Sequence, residues 1–342
     1  MRRICLLTAG IAISLAAGLA EGPYKVIKTA KVGGAGGFDY VNADPVGRRL
    51  YIARSGNPGR MTVFNLDTLE PVGEIPNVSA HGAAVDPKSH HGFGTSKPVA
   101  MWDTTTLAPI KTIDVEGGPD GILFDSFNDH VYILSHRAPN ATVIDSKDGS
   151  IVGTIDLGGA PEQAVADGKG HIYVDIEDKG NIAVVDAKTM KVTGHYDLGD
   201  KGGTCAGLAM DVKNNILFAA CRNPHNMVIL NAEDGKILDA LPIGSGSDGA
   251  VFNPRTLEAF SSQGDGTLSI IKENSPTSFV VEQTVQTPPR AKTLTLDSKT
   301  GNILLITAEF GPAPAVTPQG GGGRGPRGQM VPNSFSIVVV GK

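Results

Sequence analysis

Hydrophobic and polar residues alternate along this chain in short runs that never extend into a helical period. The stretch 163–199 shows the pattern most clearly. Gln163-Ala164-Val165-Ala166 reads as a strand, Asp167-Gly168-Lys169-Gly170 as a turn and His171-Ile172-Tyr173-Val174 as a second strand. Asn181 to Val185 reads as a third strand ending at Asp186, and Lys191 to Leu198 as a fourth, leading into Gly199. The strands carry β-branched residues, and Gly, Asp, Asn and Pro separate them.

The unit recurs. An Asp or Asn opens the first turn of each copy, at Asp44, Asp86, Asp125, Asp167, Asp211, Asn253 and Asp297. Successive gaps are 42, 39, 42, 44, 42 and 44 residues. Four short strands per repeat of roughly 40–45 residues match one propeller blade. The predicted fold is therefore all-β: a seven-bladed β-propeller of four-stranded antiparallel blades. We name the strands of each blade a to d, from the axis outwards.

The ends of the chain complement each other. Residues 24–33 align with the strand d pattern of 190–199, yet no blade precedes them. The last repeat stops after its strand c, Phe335 to Val340. The N-terminal strand is thus predicted to complete the last blade and close the ring, leaving no open sheet edges there.

Composition adds a compartment to this picture. Arg2 and Arg3 precede an apolar run from Ile4 to Leu19 that ends in small residues. This reads as a signal peptide, residues 1–20, with the single propeller domain over 21–342. The run is short for a membrane span, and no second one follows. The expected location is periplasmic or extracellular. Without Arg2 and Arg3 the chain has 28 basic and 35 acidic residues, a formal charge of −7. No long basic run exists, which argues against nucleic acid as a partner. Cys205 and Cys221 flank Lys213, the centre of an a–b turn, at equal distances. They should face each other across the hairpin, and an oxidising compartment favours a disulfide over free thiols or a reactive nucleophile. A Gly- and Pro-rich insertion, about 310–332, falls in the b–c loop of the last repeat.

Particular segments carry a family resemblance. Tyr132-Ile133-Leu134-Ser135 followed by Thr142-Val143-Ile144-Asp145 resembles the YVTN-type propeller repeat, as does Tyr173-Val174 followed by Val184-Val185-Asp186. Gly207 to Asp211 with Leu217 to Arg222, and Phe260-Ser261-Ser262 with Gly264 to Leu268, look like YncE-like secreted propellers. The tetrapeptide Tyr-Val-Thr-Asn itself is nowhere intact. Relatives of this kind imply few fixed activities. Lactonases and dehydrogenase subunits share the fold level, and single-stranded DNA binding is associated with YncE-like proteins.

Candidate chemistry converges on one face. The d-to-a connections and the b–c loops share the channel mouth. Five residues before each repeat marker lie Asp39, His81, Asp120, Glu162, Ala206, Asp248 and Lys292. The b–c loops add Ser55, Lys97, His136, Glu177, Arg222, Gln263 and Glu309. Arg222 could reach Glu177 on the next blade but one, or sit in solvent. Three readings of the mouth stay open: turn caps and channel water, a polar small-molecule, peptide or protein site, and a divalent metal site with His81, Asp120 and Glu162 as candidates. The chain shows no complete catalytic constellation. The leading expectation is a monomeric binding scaffold that is not an enzyme. The alternative is a metal-assisted hydrolase such as a lactonase.

Overall fold

The computed structural model describes residues 22–138, 140–312 and 328–342. The signal peptide and most of the insertion lie outside the described residues. Seven four-stranded antiparallel sheets follow one another around the ring. The only helix among the described residues is a single 3-10 turn, Gly199–Lys201. None is long and apolar enough to cross a membrane. The fourth blade runs through Pro161–Ala166, His171–Ile176, Asn181–Asp186 and Lys191–Asp197, matching the expected strands within a few residues.

Ring closure is as expected. Lys25–Lys31 pairs antiparallel with Ser336–Gly341, from Lys25 opposite Gly341 to Lys31 opposite Ser336. It thereby supplies strand d of the seventh blade, whose order is completed by Ile303–Thr307 and Leu294–Leu296. Two anchors hold this segment. The Tyr24 backbone exchanges hydrogen bonds of 3.0 and 2.7 Å with the Gln283 side chain in blade 6. Further on, the buried Arg54 guanidinium stacks 3.7 Å from the Phe335 ring and donates to the carbonyls of Gly33, Gly34 and Gly36.

Each repeat marker has a local task. Its side-chain oxygen accepts backbone N–H bonds in the a–b turn: Asp44 from Val46 and Gly47, Asp167 from Lys169 and His171, Asp297 from Lys299. Asp86, Asp125, Asp211 and Asn253 do the same for the residue two positions on. This is the Asx turn, a short side chain standing in for backbone. The same turns reach the left-handed region before strand b, for example at Arg48, Asp129 and Gly170.

The core is divided among the blade interfaces. One cluster joins Leu134, Val143 and Ile155 of blade 3 to Ile172, Val174 and Val185 of blade 4. Another joins Leu50, Ile52 and Phe64 of blade 1 to Leu304, Ile337 and Val339 of blade 7. The closing seam is therefore packed like the other interfaces, and each buried Leu, Ile or Val contributes about 1.5–3 kcal/mol. Cys205 and Cys221 stand opposite each other in strands a and b of blade 5 and are disulfide-bonded.

Candidate functional site

The strand a starts and b–c loops bring nine of the expected side chains into one closed circuit at the channel mouth. Lys292 Nζ lies 3.3 Å from Asp39 Oδ1, and Asp39 Oδ2 lies 3.0 Å from His81 Nδ1. The same His81 nitrogen is 3.4 Å from Asp120 Oδ1. Asp120 Oδ2 is 3.4 Å from His136 Nε2, which is 3.6 Å from Glu162 Oε1. Glu177 adjoins Glu162 and pairs with Arg222. Arg222 also pairs with Asp248, which closes the circuit by contacting Lys292.

Every blade contributes, including the fifth. Its expected ring position is Ala206, fully buried and without a polar group. Arg222 from the end of its strand b takes that place, with its Nε 2.9 Å from the Ser247 carbonyl. Its partner Glu177 sits on the adjacent blade, not on the next blade but one, because their separation of 45 residues is a single repeat.

Other expected members stand apart. Glu309 pairs with Lys31 at 3.2 Å, with both side chains largely exposed. Gln263 is fully buried, and its amide accepts from Thr267 and Ser269 within its own blade. Lys97 donates to the Gly117 carbonyl at 2.6 Å, and the Ser55 backbone bridges to Gly37. These four shape loops and do not join the circuit. The metal candidates His81, Asp120 and Glu162 do not form one group. They divide between two overlapping sets, Asp39–His81–Asp120 and Asp120–His136–Glu162, whose ligand atoms lie within 4.8 Å of one another.

Electrostatics separates the members further. Burial pushes the Asp39 carboxyl up, but the bonds from His81 and Lys292 outweigh it and leave it below its usual range. His81 is raised, chiefly by its hydrogen bond to Asp39. Burial raises Asp120 despite the two nearby imidazoles. Glu162 is pushed up to about 8, first by burial and then by the neighbouring Glu177 carboxylate. Both effects favour the protonated form of Glu162, in which two carboxyls can lie side by side.

Two further groups belong to this region. The Tyr40 hydroxyl donates to Glu162 Oε2 at 3.1 Å, and burial holds its pKa well above normal. Tyr40 follows Asp39 directly, but no repeat pattern marks it. Asp175 in strand b of blade 4 is wholly buried, and neither carboxylate oxygen has a hydrogen-bond partner among the described residues. Burial raises its pKa strongly, with Arg222 the nearest opposing charge. Here a partial signal did exist: the equivalent position two past the strand b aromatic is Ala53, Leu134 or Ala220 in three blades and Thr95 or Ser262 in two, so Asp175 is the ionisable member of that set.

No protein-family model matches this chain, and no curated protein matches it in sequence. Solved structures do. "Structure of U3-55K" and "Crystal structure of RRP9 WD40 repeats" each superpose with a TM-score of 0.72 at 11% identity, covering 94% of this chain and 99% of theirs. Likeness at that identity speaks for the fold alone: a seven-bladed β-propeller.

Proposed function

We propose that this chain is an exported propeller of the YncE-like, YVTN-repeat kind that binds a small polar ligand or a side chain of a partner protein at its channel mouth. The cationic head of that ligand would sit on the arc Asp39–His81–Asp120–His136–Glu162. The observation that carries this reading is the unequal neutralisation of the circuit. Arg222 and Lys292 compensate Glu177, Asp248 and part of Asp39. The arc beyond His81 has only imidazoles and a carboxyl proton to balance it. An arriving cation would supply the missing charge and release the Glu162 proton. The apolar N-terminal run and the Cys205–Cys221 bond support export. Nothing in the circuit supplies an activated nucleophile, which supports binding over catalysis.

A divalent ion is the second reading, favoured by the two three-ligand sets that share Asp120. Mixed imidazole and carboxylate donors suit a borderline ion such as zinc. Such an ion would polarise a carbonyl or bound water in a hydrolase. Calorimetry with agmatine and with Zn²⁺ separates the two. Binding should be lost in Asp120→Asn and should release protons in buffers of differing ionisation enthalpy. Saturable agmatine binding supports the first reading, and stoichiometric zinc with no agmatine binding supports the second. If neither probe binds at millimolar concentration, the arc is not a cation site.

A further inference from the structure

Beside the circuit, on the same face, a cavity of about 380 Å³ opens between the 33–37 segment and blade 7. Its apolar walls include Phe38, Phe310 and Met330, and Gly36 contributes backbone. Arg290 and Lys292 are its two cations. The rings of Phe38 and Phe310 lie 6.4 Å apart at 46°, while Met330 offers an adaptable thioether.

Arg290 is the informative residue. Its guanidinium lies 4.2 Å from the centre of the Phe310 ring. Nη1 is buried yet meets no hydrogen-bond acceptor among the described residues, and no described carboxylate lies within ion-pair distance. Arg54 offers a comparison. It also stacks on a phenylalanine, Phe335, but both of its terminal nitrogens donate to carbonyls. Both stacked arginines keep one buried nitrogen without an acceptor among the described residues, Nε in Arg54 and the terminal Nη1 in Arg290, but only Arg290 lines this cavity. A buried, unpaired guanidinium nitrogen is costly, and a carboxylate is its best planar partner.

We infer that this cavity binds a monocarboxylate with an aromatic or long aliphatic body. The carboxylate pairs with Arg290, and the body packs between Phe38, Phe310 and Met330. The volume is within the range of small-molecule pockets. This site goes beyond the cation arc, sharing only Lys292, whose ammonium is already engaged by Asp39 and Asp248.

Calorimetry with 4-phenylbutyrate tests it on the unaltered protein. Saturable binding is expected, with 4-phenylbutyramide weaker by about tenfold to a hundredfold. Arg290→Gln should weaken the acid by a similar factor and leave the amide unchanged. Phe310→Ala should weaken both, whereas Asp120→Asn should weaken neither. Conversely, Arg290→Gln should leave agmatine binding intact, so failure at one site is distinguishable from failure at the other. Absence of saturable acid binding, or equal binding of acid and amide, overturns the proposal. So does self-association in sedimentation velocity that Phe310→Ala abolishes, because a second copy would then be the occupant. The acid–amide comparison needs no variant and stands even where a substitution impairs folding.

Discussion

The two halves of the mouth circuit are built from similar residues and behave differently. From Glu177 through Arg222 and Asp248 to Lys292, permanent cations sit directly against carboxylates. From His81 through Asp120 and His136 to Glu162, the balancing groups are imidazoles and a shared proton. In the first half each cation meets two carboxylates, Arg222 those of Glu177 and Asp248, and Lys292 those of Asp39 and Asp248. The second half holds His81, Asp120 and Glu162, whose pKa values are all raised, His81 chiefly by its hydrogen bond to Asp39 and the two carboxyls chiefly by burial. The first therefore acts as a clamp between blades 4, 5, 6 and 7.

Removing the clamp should give the largest effect. Arg222→Ala leaves Glu177 and the nearly buried Asp248 without their shared partner. Asp248 keeps Lys292, but Glu177 is left without a cation beside Glu162, so urea denaturation at pH 7 should show a loss of about 2 kcal/mol. Arg222→Lys, which lacks the fork, should recover only part of it. A loss below 0.5 kcal/mol would place the clamp among weak surface pairs.

Glu162 gives the next effect, with the opposite sign. Its folded pKa of about 8 exceeds its usual 4.5, so the native state binds more protons than the unfolded state between those values. Stability should therefore fall as pH rises through that window. Glu162→Gln keeps a neutral side chain at every pH. The variant should lie nearest the parent at or below pH 5 and gain on it steadily up to pH 9, as read from urea midpoints. Parallel pH profiles for the two proteins would show that Glu162 ionises normally.

His81 provides the smallest and most local reading. Its raised pKa depends first on Asp39. A histidine held charged in the native state stabilises below its unfolded pKa, and that contribution fades as pH rises through the folded value. Asp39→Asn should move the His81 titration back towards its usual range, seen in its imidazole NMR signals. An unchanged titration would shift the credit to Asp120.

The clamp also shows where sequence reading stops. Asp39, His81, Asp120, Glu162, Asp248 and Lys292 were legible because pseudo-symmetry repeats their position in each blade. Ala206 breaks that series, and only the packed ring shows Arg222 replacing it from a different loop. Tyr40 was invisible because nothing local distinguishes a buried tyrosine from an exposed one. Glu309 pairs with Lys31 and stands outside the circuit, because a position in a repeat does not determine a side chain's direction once the loop is enlarged.

By itself, the sequence determined the blade count, the strand pairing within each repeat, the closing strand and the facing cysteines. These depend on period-two patterning, turn chemistry and spacing, which are local and repeat along the chain. The tertiary structure alone decided which charges meet, which carboxyl keeps its proton and which arginine lacks an acceptor. Those properties depend on burial and on distances of a few ångströms between residues far apart in the chain, which no local pattern records.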